Sequence, residues 1–545
     1  MFARFPVIPN MPYCVYRHIC LLPFIMLFSA FSSADTEIQV SISESDIKQF
    51  QVLVDIPRFT RTTGKQLGNL PNMKFDLIIA SDGRAIPTNR GLKVTQNKYW
   101  DILVEPGRWQ LRKKKVSIVL PIALVGKDEN CTHQGMIIIE NNTASYQIAT
   151  ETCQYFQFNA LGSTKINITT KDTNNSPSVI TAYVNEINNR LPEKSMDKLS
   201  EDYPHLDPMI FSQLDYIQPS SMTAFGTVLR GTHYVSDCPT RAAAFPDCSH
   251  MPLPSYSLAK SIIGGIGLMR LEALQPGVKN LLVKDLVPEC SAWGAITLQH
   301  LLNNTTGRYG SSRPNSDENK HLLSFMNKTS AEAKTKHVCN RYKVKKQPGE
   351  QWVYHTTDFW LLGVAMQNFW REKHGEDADF YNDVLIPLWH RLGLSPLLDQ
   401  PHRQQGQPLT GWGLTLLRSD IAKLASALSS KESVFTQQLD HSMFSKAMQV
   451  DPSDRGAVAG SKSLRFKHGF WAWNAASSLG CAKEKWLPFM SGYGGISVVL
   501  LPDGDVYYYL SDGGVFRFAE VLQHLNKTHS ILSLIHISEP TRRRG

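Results

Sequence analysis

The chain has 545 residues, 42% of them hydrophobic and 19% charged, with a formal net charge of +9. This composition supports a large buried core, excludes wholesale disorder and leaves room for roughly two to four domains. Much of the positive charge sits in Arg4 and Arg17 near the start and in Arg542, Arg543 and Arg544 at the end, and no interleaving of aromatic and basic residues points to nucleic acid.

The first 34 residues read as an export signal. Arg4, Arg17 and His18 precede an apolar run from Ile19 to Phe31, followed by the small residues Ser32, Ser33 and Ala34. A run of about 13 residues suits a signal core and is short for a bilayer span, so cleavage is expected near Ala34, with Met11 as an alternative start. The mature protein is then expected to be secreted or periplasmic, with no stable membrane span.

Residues 35–170 carry short strand-like runs, among them Phe75–Ile79, Tyr99–Val104, Val116–Leu120 and Met136–Ile139, separated by turn residues such as Ser81-Asp82-Gly83. The spacing predicts an all-β accessory domain, with a sandwich as the expected form. The basic run Arg112–Lys115 reads as a solvated strand entry. Thr169 to Ser178, rich in Thr, Asn, Ser and Pro, predicts a linker, placed at 171–184 between the two regions. Beyond it, residues 185–530 read as strands, helices, strands and a last helix. Val184–Leu199 is helix-like and Met222–Val235 strand-like. Helical periodicity then dominates to about residue 430, and strands return at Phe470–Trp473, Ile496–Leu501 and Val506–Leu510 before a helix near Phe516–Leu525. That order predicts an antiparallel sheet in which early and late strands pair around a helical insertion. Residues 531–545 break the pattern and read as a non-native tail.

Without the leader, seven cysteines remain: Cys131, Cys153, Cys238, Cys248, Cys290, Cys339 and Cys481. In an oxidising compartment Cys131–Cys153 and Cys238–Cys248 are the expected local pairs, and the odd count leaves at least one free thiol. A zinc reading of Cys238, Cys248 and His250 lacks the paired spacing such sites use, so no metal or other cofactor is expected.

The chemistry concentrates at Ser257 and Lys260. Three residues apart at the start of a helix, they share one face, placing a hydroxyl beside an amine. Ser45/Lys48 and Ser195/Lys198 have the same spacing, but only Lys260 enters an uncharged stretch, Ile262 to Met269. Burial there lowers an amine's pKa and turns it into a base. The alternative is an ordinary helix start with a capping serine and a solvated lysine.

Three motifs in order resemble the serine β-lactamase and penicillin-binding protein superfamily, in its class C and esterase-like branch: Ser257-Leu258-Ala259-Lys260, Tyr354-His355-Thr356 and Ser491-Gly492-Tyr493. The resemblance spans about residues 185–528. It implies an α+β fold with a β-lactamase-like catalytic domain, an antiparallel sheet flanked by helices plus a helical subdomain, preceded here by the all-β domain. It further implies Ser257 as nucleophile, Lys260 or Tyr354 as general base, Thr356 as a hydrogen-bonding partner of the lysine or the substrate, and Ser491, Gly492 and Tyr493 on the substrate strand. The backbone N–H groups of Ser257 and Tyr493 would form the oxyanion hole. The third motif departs from the family pattern: Met490 stands where a Lys or His is usual. Methionine offers no charge to a substrate carboxylate. The Tyr354–Asp358 run is similar to that of hydrolases related to 6-aminohexanoate-dimer hydrolases, so the expected partner is a small neutral ester or amide. β-Lactamase or D,D-peptidase work, and a non-catalytic binding or sensor protein on the same fold, are the alternatives. His355, His468 and Trp471 are either pocket-lining or core residues.

Overall fold

A computed structural model describes residues 35–529, apart from 44–45, 64–66, 68, 113–114, 172–175, 319 and 431–432. The predicted leader, the tail at 531–545, the middle of the basic run and the centre of the linker lie outside the described residues.

The N-terminal region is a single antiparallel sheet that closes on itself. Thr36–Ile42 and Asp46–Asp55 run one after the other along Phe156–Lys171, from Ile42 opposite Ile166 to Asp46 opposite Ser163, and so act as one interrupted strand. Trp100–Val104 and Gly107–Arg112 share Lys115–Gly126 in the same way. Each strand otherwise pairs with its neighbours in sequence, and Thr36–Ile42 pairs with both Met73–Ile79 and the last strand. The result is an up-and-down barrel and not the expected sandwich. Closure pairs Thr36–Ile42 on both sides, while Asp46–Asp55 and Trp100–Val104 each pair along one side only. Alternating residues such as Ile38, Val40, Ile42, Ile137, Ile139, Phe156 and Phe158 fill the interior. Alternation fails along Lys115–Gly126 because its later part is buried on both faces. Ala123 and Val125 there, with Leu103 of Trp100–Val104, cluster with Leu397 and Leu417 of the C-terminal region.

The C-terminal region is built on a nine-stranded sheet. From edge to edge its strands are Glu193–Ser195, Thr232–Val235, Met222–Leu229, Val506–Ser511, Ile496–Leu500, Trp486–Gly492, Phe470–Asn474, Leu464–Lys467 and Ala457–Val458. Met222–Leu229 pairs antiparallel with Val506–Ser511, the predicted meeting of early and late strands. The larger apolar core lies between this sheet and the helices of the insertion, and a second core lies on its other face under Ala519–His529. The first helix of the region runs over Ser176–Asn189, earlier than the predicted 184–199. Pro192 follows three residues after its end, and proline cannot continue a helix.

Cys131–Cys153, Cys238–Cys248 and Cys290–Cys339 form disulfides, the first two as expected, and Cys481 is free. Polar ties also join barrel and sheet region. Arg241 donates two hydrogen bonds to the Glu151 carboxylate at 2.9 and 2.6 Å, and Gln134 Nε2 donates to the Pro252 carbonyl at 2.9 Å. Among the described residues no helix is long and apolar enough to cross a membrane.

Candidate active site

The segment Ser257–Leu274 descends from the sheet surface into the larger core. Ser257 is half-buried at its mouth and Lys260 is 2% exposed. Lys260–Gly265 is wound as a π-helix before the α-helix Ile266–Leu274, a local widening often found at functional sites. Gly265 permits the close packing of this segment: a Cβ there would stand 2.7 Å from the His468 carbonyl oxygen.

Lys260 Nζ lies 2.8 Å from Ser257 Oγ, so the two groups do share one face as the spacing predicts. The amine is also 2.9 Å from Thr356 Oγ1 and 3.1 Å from the Gly411 carbonyl oxygen. Burial lowers its pKa to about 8, against an opposing pull from the Glu318 carboxylate. A substantial fraction is therefore neutral near pH 8, able to accept a proton from the serine.

Tyr354 lies on the other side of the pair. Its ring is 5.0 Å from Lys260 Nζ and its phenol hydrogen-bonds with Ser257. Burial raises the phenol pKa, which the Ser257 contact only partly offsets. Trp471, half-buried, packs on Tyr354 with ring centroids 5.7 Å apart, and Phe466 approaches from the edge at 6.3 Å. Trp471 thus belongs to an aromatic wall beside the site, whereas His468 is a buried core residue whose N–H donates to Asn303 Oδ1.

Thr356 opens the helix Thr356–His374. Its N–H donates to Glu318 Oε1 at 2.7 Å and its hydroxyl donates to Glu318 Oε2. Glu318 thereby caps the helix, placing negative charge at the positive end of its dipole. The preceding pair is clamped as well: His355 Nε2 lies 2.8 Å from Asp317 Oδ2 and its Nδ1 lies 3.6 Å from Asp358 Oδ1, under the stacked ring of Tyr342. Burial alone would lower the His355 pKa, but the two carboxylates outweigh it and raise it to about 10. His355 is therefore a buried cation of the scaffold and not a pocket residue.

The third motif ends the strand Trp486–Gly492. Met490 is 1% exposed and belongs to the larger core. Ser491 Oγ donates to the Ile496 carbonyl at 3.2 Å, so its hydroxyl serves the turn. Gly492 approaches the segment that leads into Ser257: a Cβ there would be 2.9 Å from the Ser255 carbonyl oxygen. Tyr493, 49% exposed, sets its ring 6.0 Å from that of Tyr256. Lys485, which directly precedes this strand, stands five residues before Met490, roughly 16 Å away at 3.3 Å per residue, beyond the reach of its side chain. Tyr256 itself has φ +40°, a conformation that costs a bulky residue about 1–3 kcal/mol and must be held by its surroundings.

The structure thus brings Ser257, Lys260, Tyr354 and Thr356 together, sets Gly492 and Tyr493 alongside, and turns the Ser491 side chain elsewhere. Sequence reasoning missed Glu318, Asp317 and the Gly411 carbonyl. All three arrive from distant chain segments; the only local signal was the adjacent acidic pair Asp317-Glu318.

No protein-family model and no curated protein matches the sequence. Among solved structures, the chain is similar to an assigned 6-aminohexanoate-dimer hydrolase from Bacillus anthracis, with 15% identity, 64% of this chain and 89% of that one covered, and a TM-score of 0.44. It is likewise similar to EstCE1, a hydrolase with promiscuous acyltransferase activity (15% identity, 59% and 97% covered, TM-score 0.44). A penicillin-binding protein homologue from Caulobacter crescentus follows at 13% identity, 59% and 96% covered, TM-score 0.40.

Proposed function

We propose that this protein is a serine hydrolase that works through an acyl-enzyme on Ser257, on a neutral ester or amide. The observation that carries the proposal is the 2.8 Å contact between Ser257 Oγ and a buried Lys260 amine whose pKa is lowered to about 8. In this reading the neutral amine takes the serine proton as Oγ bonds to the acyl carbon, and the backbone N–H groups of Ser257 and Tyr493 receive the developing oxyanion. Lys260 is the base in preference to Tyr354, because burial disfavours the phenolate. Tyr354 relays the proton from Lys260 to the leaving alkoxide or amine as its bond to the carbonyl carbon breaks. A water then attacks the ester of Ser257 and gives its proton to Lys260, which passes it to Oγ as the Oγ–acyl bond breaks, releasing the acid and restoring the serine.

The preference for a neutral substrate is supported by charge. Met490 is buried in the apolar core, and the charged side chain nearest Lys260 and Thr356 is the carboxylate of Glu318. A substrate carboxylate would meet repulsion from Glu318 and no charge from Met490, while Trp471 and Tyr493 offer partly exposed aromatic surface.

The test is labelling by a fluorophosphonate and turnover of a p-nitrophenyl ester by wild type and Ser257→Ala. Labelled wild type and inert mutant support the reading; equal labelling of both sinks the nucleophile assignment. An inert wild type over a broad ester and amide panel returns the protein to the binding or sensor class. Rapid turnover of nitrocefin would overturn the neutral-substrate preference in favour of β-lactamase-type work.

A further inference from the structure

We propose that the N-terminal barrel is part of the acylation site, and that Asn130 of the barrel is a positioning residue for Ser257. The inference rests on the acyl-enzyme reading of Ser257 given above.

The loop joining Lys115–Gly126 to Thr132–Glu140 leaves the barrel toward the nucleophile. At its end Asn130, 0% exposed, points its side chain at the residues just before Ser257. Asn130 Oδ1 accepts the backbone N–H of Tyr256 at 3.0 Å and the hydroxyl of Ser255 at 3.4 Å. The phenol of Tyr256 donates to the Thr152 carbonyl at 3.2 Å, on another barrel strand. The residue preceding the nucleophile is therefore held at its backbone and at its side chain by the same barrel. Cys131–Cys153 ties together the two chain segments that do this, being adjacent to Asn130 on one side and to Thr152 on the other.

The same edge of the barrel reaches two further parts of the site. The Asp128 carbonyl accepts from Trp412 Nε1 at 2.8 Å, and Trp412 follows Gly411, whose carbonyl receives Lys260. Tyr155 sets its ring 6.2 Å from that of Tyr493. Nucleophile, base and oxyanion strand are each braced by a residue of this one edge.

Tyr256 explains why the brace matters. Its φ of +40° is unfavourable for tyrosine, and the peptide that follows it carries the Ser257 N–H. A hydrogen bond on the Tyr256 N–H holds this conformation; without it the residue can relax to negative φ and turn both the N–H and the Oγ of Ser257.

The test compares two variants of the full-length protein. Asn130 has φ +62°, so Asn130→Gly removes the acceptor while keeping the backbone unstrained. Asn130→Asp keeps an acceptor oxygen and gives up an Nδ2 that has no partner among the described residues. For p-nitrophenyl ester hydrolysis, Asn130→Gly is expected to lower kcat by about 10- to 100-fold with little change in KM, as expected of a small misplacement of reacting groups, and Asn130→Asp to restore most of it. Circular dichroism and the thermal midpoint check that both are folded. Amide exchange of the peptide spanning residues 253–259 gives a readout independent of activity, faster in Asn130→Gly and near wild type in Asn130→Asp. A folded Asn130→Gly with wild-type kcat, or an Asn130→Asp as impaired as the glycine variant, overturns the proposal. If the wild type hydrolyses nothing, the hydrolase reading fails separately. Exchange alone then decides whether the barrel holds this segment, and equal exchange in wild type and Asn130→Gly overturns it.

Discussion

Glu318 grips Thr356 with both carboxylate oxygens, one on the backbone N–H and one on the hydroxyl, and that hydroxyl is in turn 2.9 Å from Lys260 Nζ. A serine, an amine, a hydroxyl and a carboxylate thus form one chain of polar contacts, with the carboxylate at the end farthest from solvent-facing Ser257. The charge of Glu318 reaches Lys260 through it and favours the ammonium, opposing the effect of burial.

Glu318→Gln should therefore move the acid limb of kcat/KM toward lower pH. The amide keeps the size of the side chain but removes the charge that stabilises the lysine ammonium, so the neutral base persists to lower pH. Thr356 also loses charge-assisted hydrogen bonds, worth about 1.5–3 kcal/mol of stability. The check is a pH–rate profile with an uncharged ester. An acid limb that stays in place or moves upward would show that Glu318 does not act on Lys260.

Lys260→Met should trade activity for stability. The amine is 2% exposed and its pKa falls from 10.5 to about 8 on folding. Below about pH 8 both folded and unfolded chains hold the proton, and the fold bears the cost of burying it. Between about 8 and 10.5 only the unfolded chain holds it, so the stability of the wild type climbs with pH in that window relative to the variant. At pH 7 the methionine variant should be more stable by about 1–3 kcal/mol and slower by about 10³-fold or more, as expected of a lost general base. Urea unfolding at pH 7 and pH 10.5 together with ester turnover checks both. A variant destabilised equally at both pH values would refute the account of the buried amine.

The Ser257–Lys260 relationship was legible because it is local: a helix brings positions three apart onto one face, and an uncharged continuation implies burial. Tyr354 and Thr356 were legible only as a motif in order, since nothing local says that a tyrosine 97 residues downstream returns to Ser257. Glu318, Gly411 and Asn130 left no such mark. Glu318 reaches Thr356 across 38 residues, Gly411 reaches Lys260 across 151, and Asn130 reaches Tyr256 across 126. In the barrel, alternation along Ile38, Val40 and Ile42 identifies a strand with one buried face. It does not say which partner lies on each edge, so a closed ring and two stacked sheets read alike. Met490 is a different case: the missing cation was visible at once, and its burial among apolar side chains shows why no charge can be offered from that position.

His355→Leu should cost the protein stability in a pH-dependent way. The imidazole pKa rises from 6.5 to about 10 on folding, driven by Asp358 and Asp317 against the cost of burial. Its contribution is fully present below about pH 6.5 and is lost as pH rises through about 10. At pH 6 the variant leaves two buried carboxylates without their cation, a loss of roughly 3–5 kcal/mol. By pH 10.5 the gap to wild type should have shrunk to the packing difference alone. Denaturant unfolding at the two pH values measures this. A gap of equal size at both would mean that His355 folds as the neutral ring and that the Asp317–His355–Asp358 clamp carries no net charge pairing.

Gly492→Ala tests the fit between the strand Trp486–Gly492 and the segment that leads into Ser257. The added methyl group would sit 2.9 Å from the Ser255 carbonyl oxygen and 3.2 Å from Ile496 Cβ, and the first contact is with backbone, which cannot rotate away. The strand end carrying Tyr493 must then move back by a few tenths of an ångström from the turn that carries Ser257. Those two residues are proposed to supply the two N–H donors of the oxyanion hole, and such donors act only at about 2.7–3.1 Å from the oxyanion. Overpacking should cost about 1–3 kcal/mol in stability. The larger effect should be on kcat, down by about 10²-fold, the order seen when one oxyanion donor is lost. Alanine in place of glycine alters no titratable group, so the pH at which the acid limb falls should be unchanged, which separates this loss from one acting through Lys260. A Gly492→Ala protein that turns over esters at the wild-type rate would show that the Tyr493 N–H takes no part in the reaction.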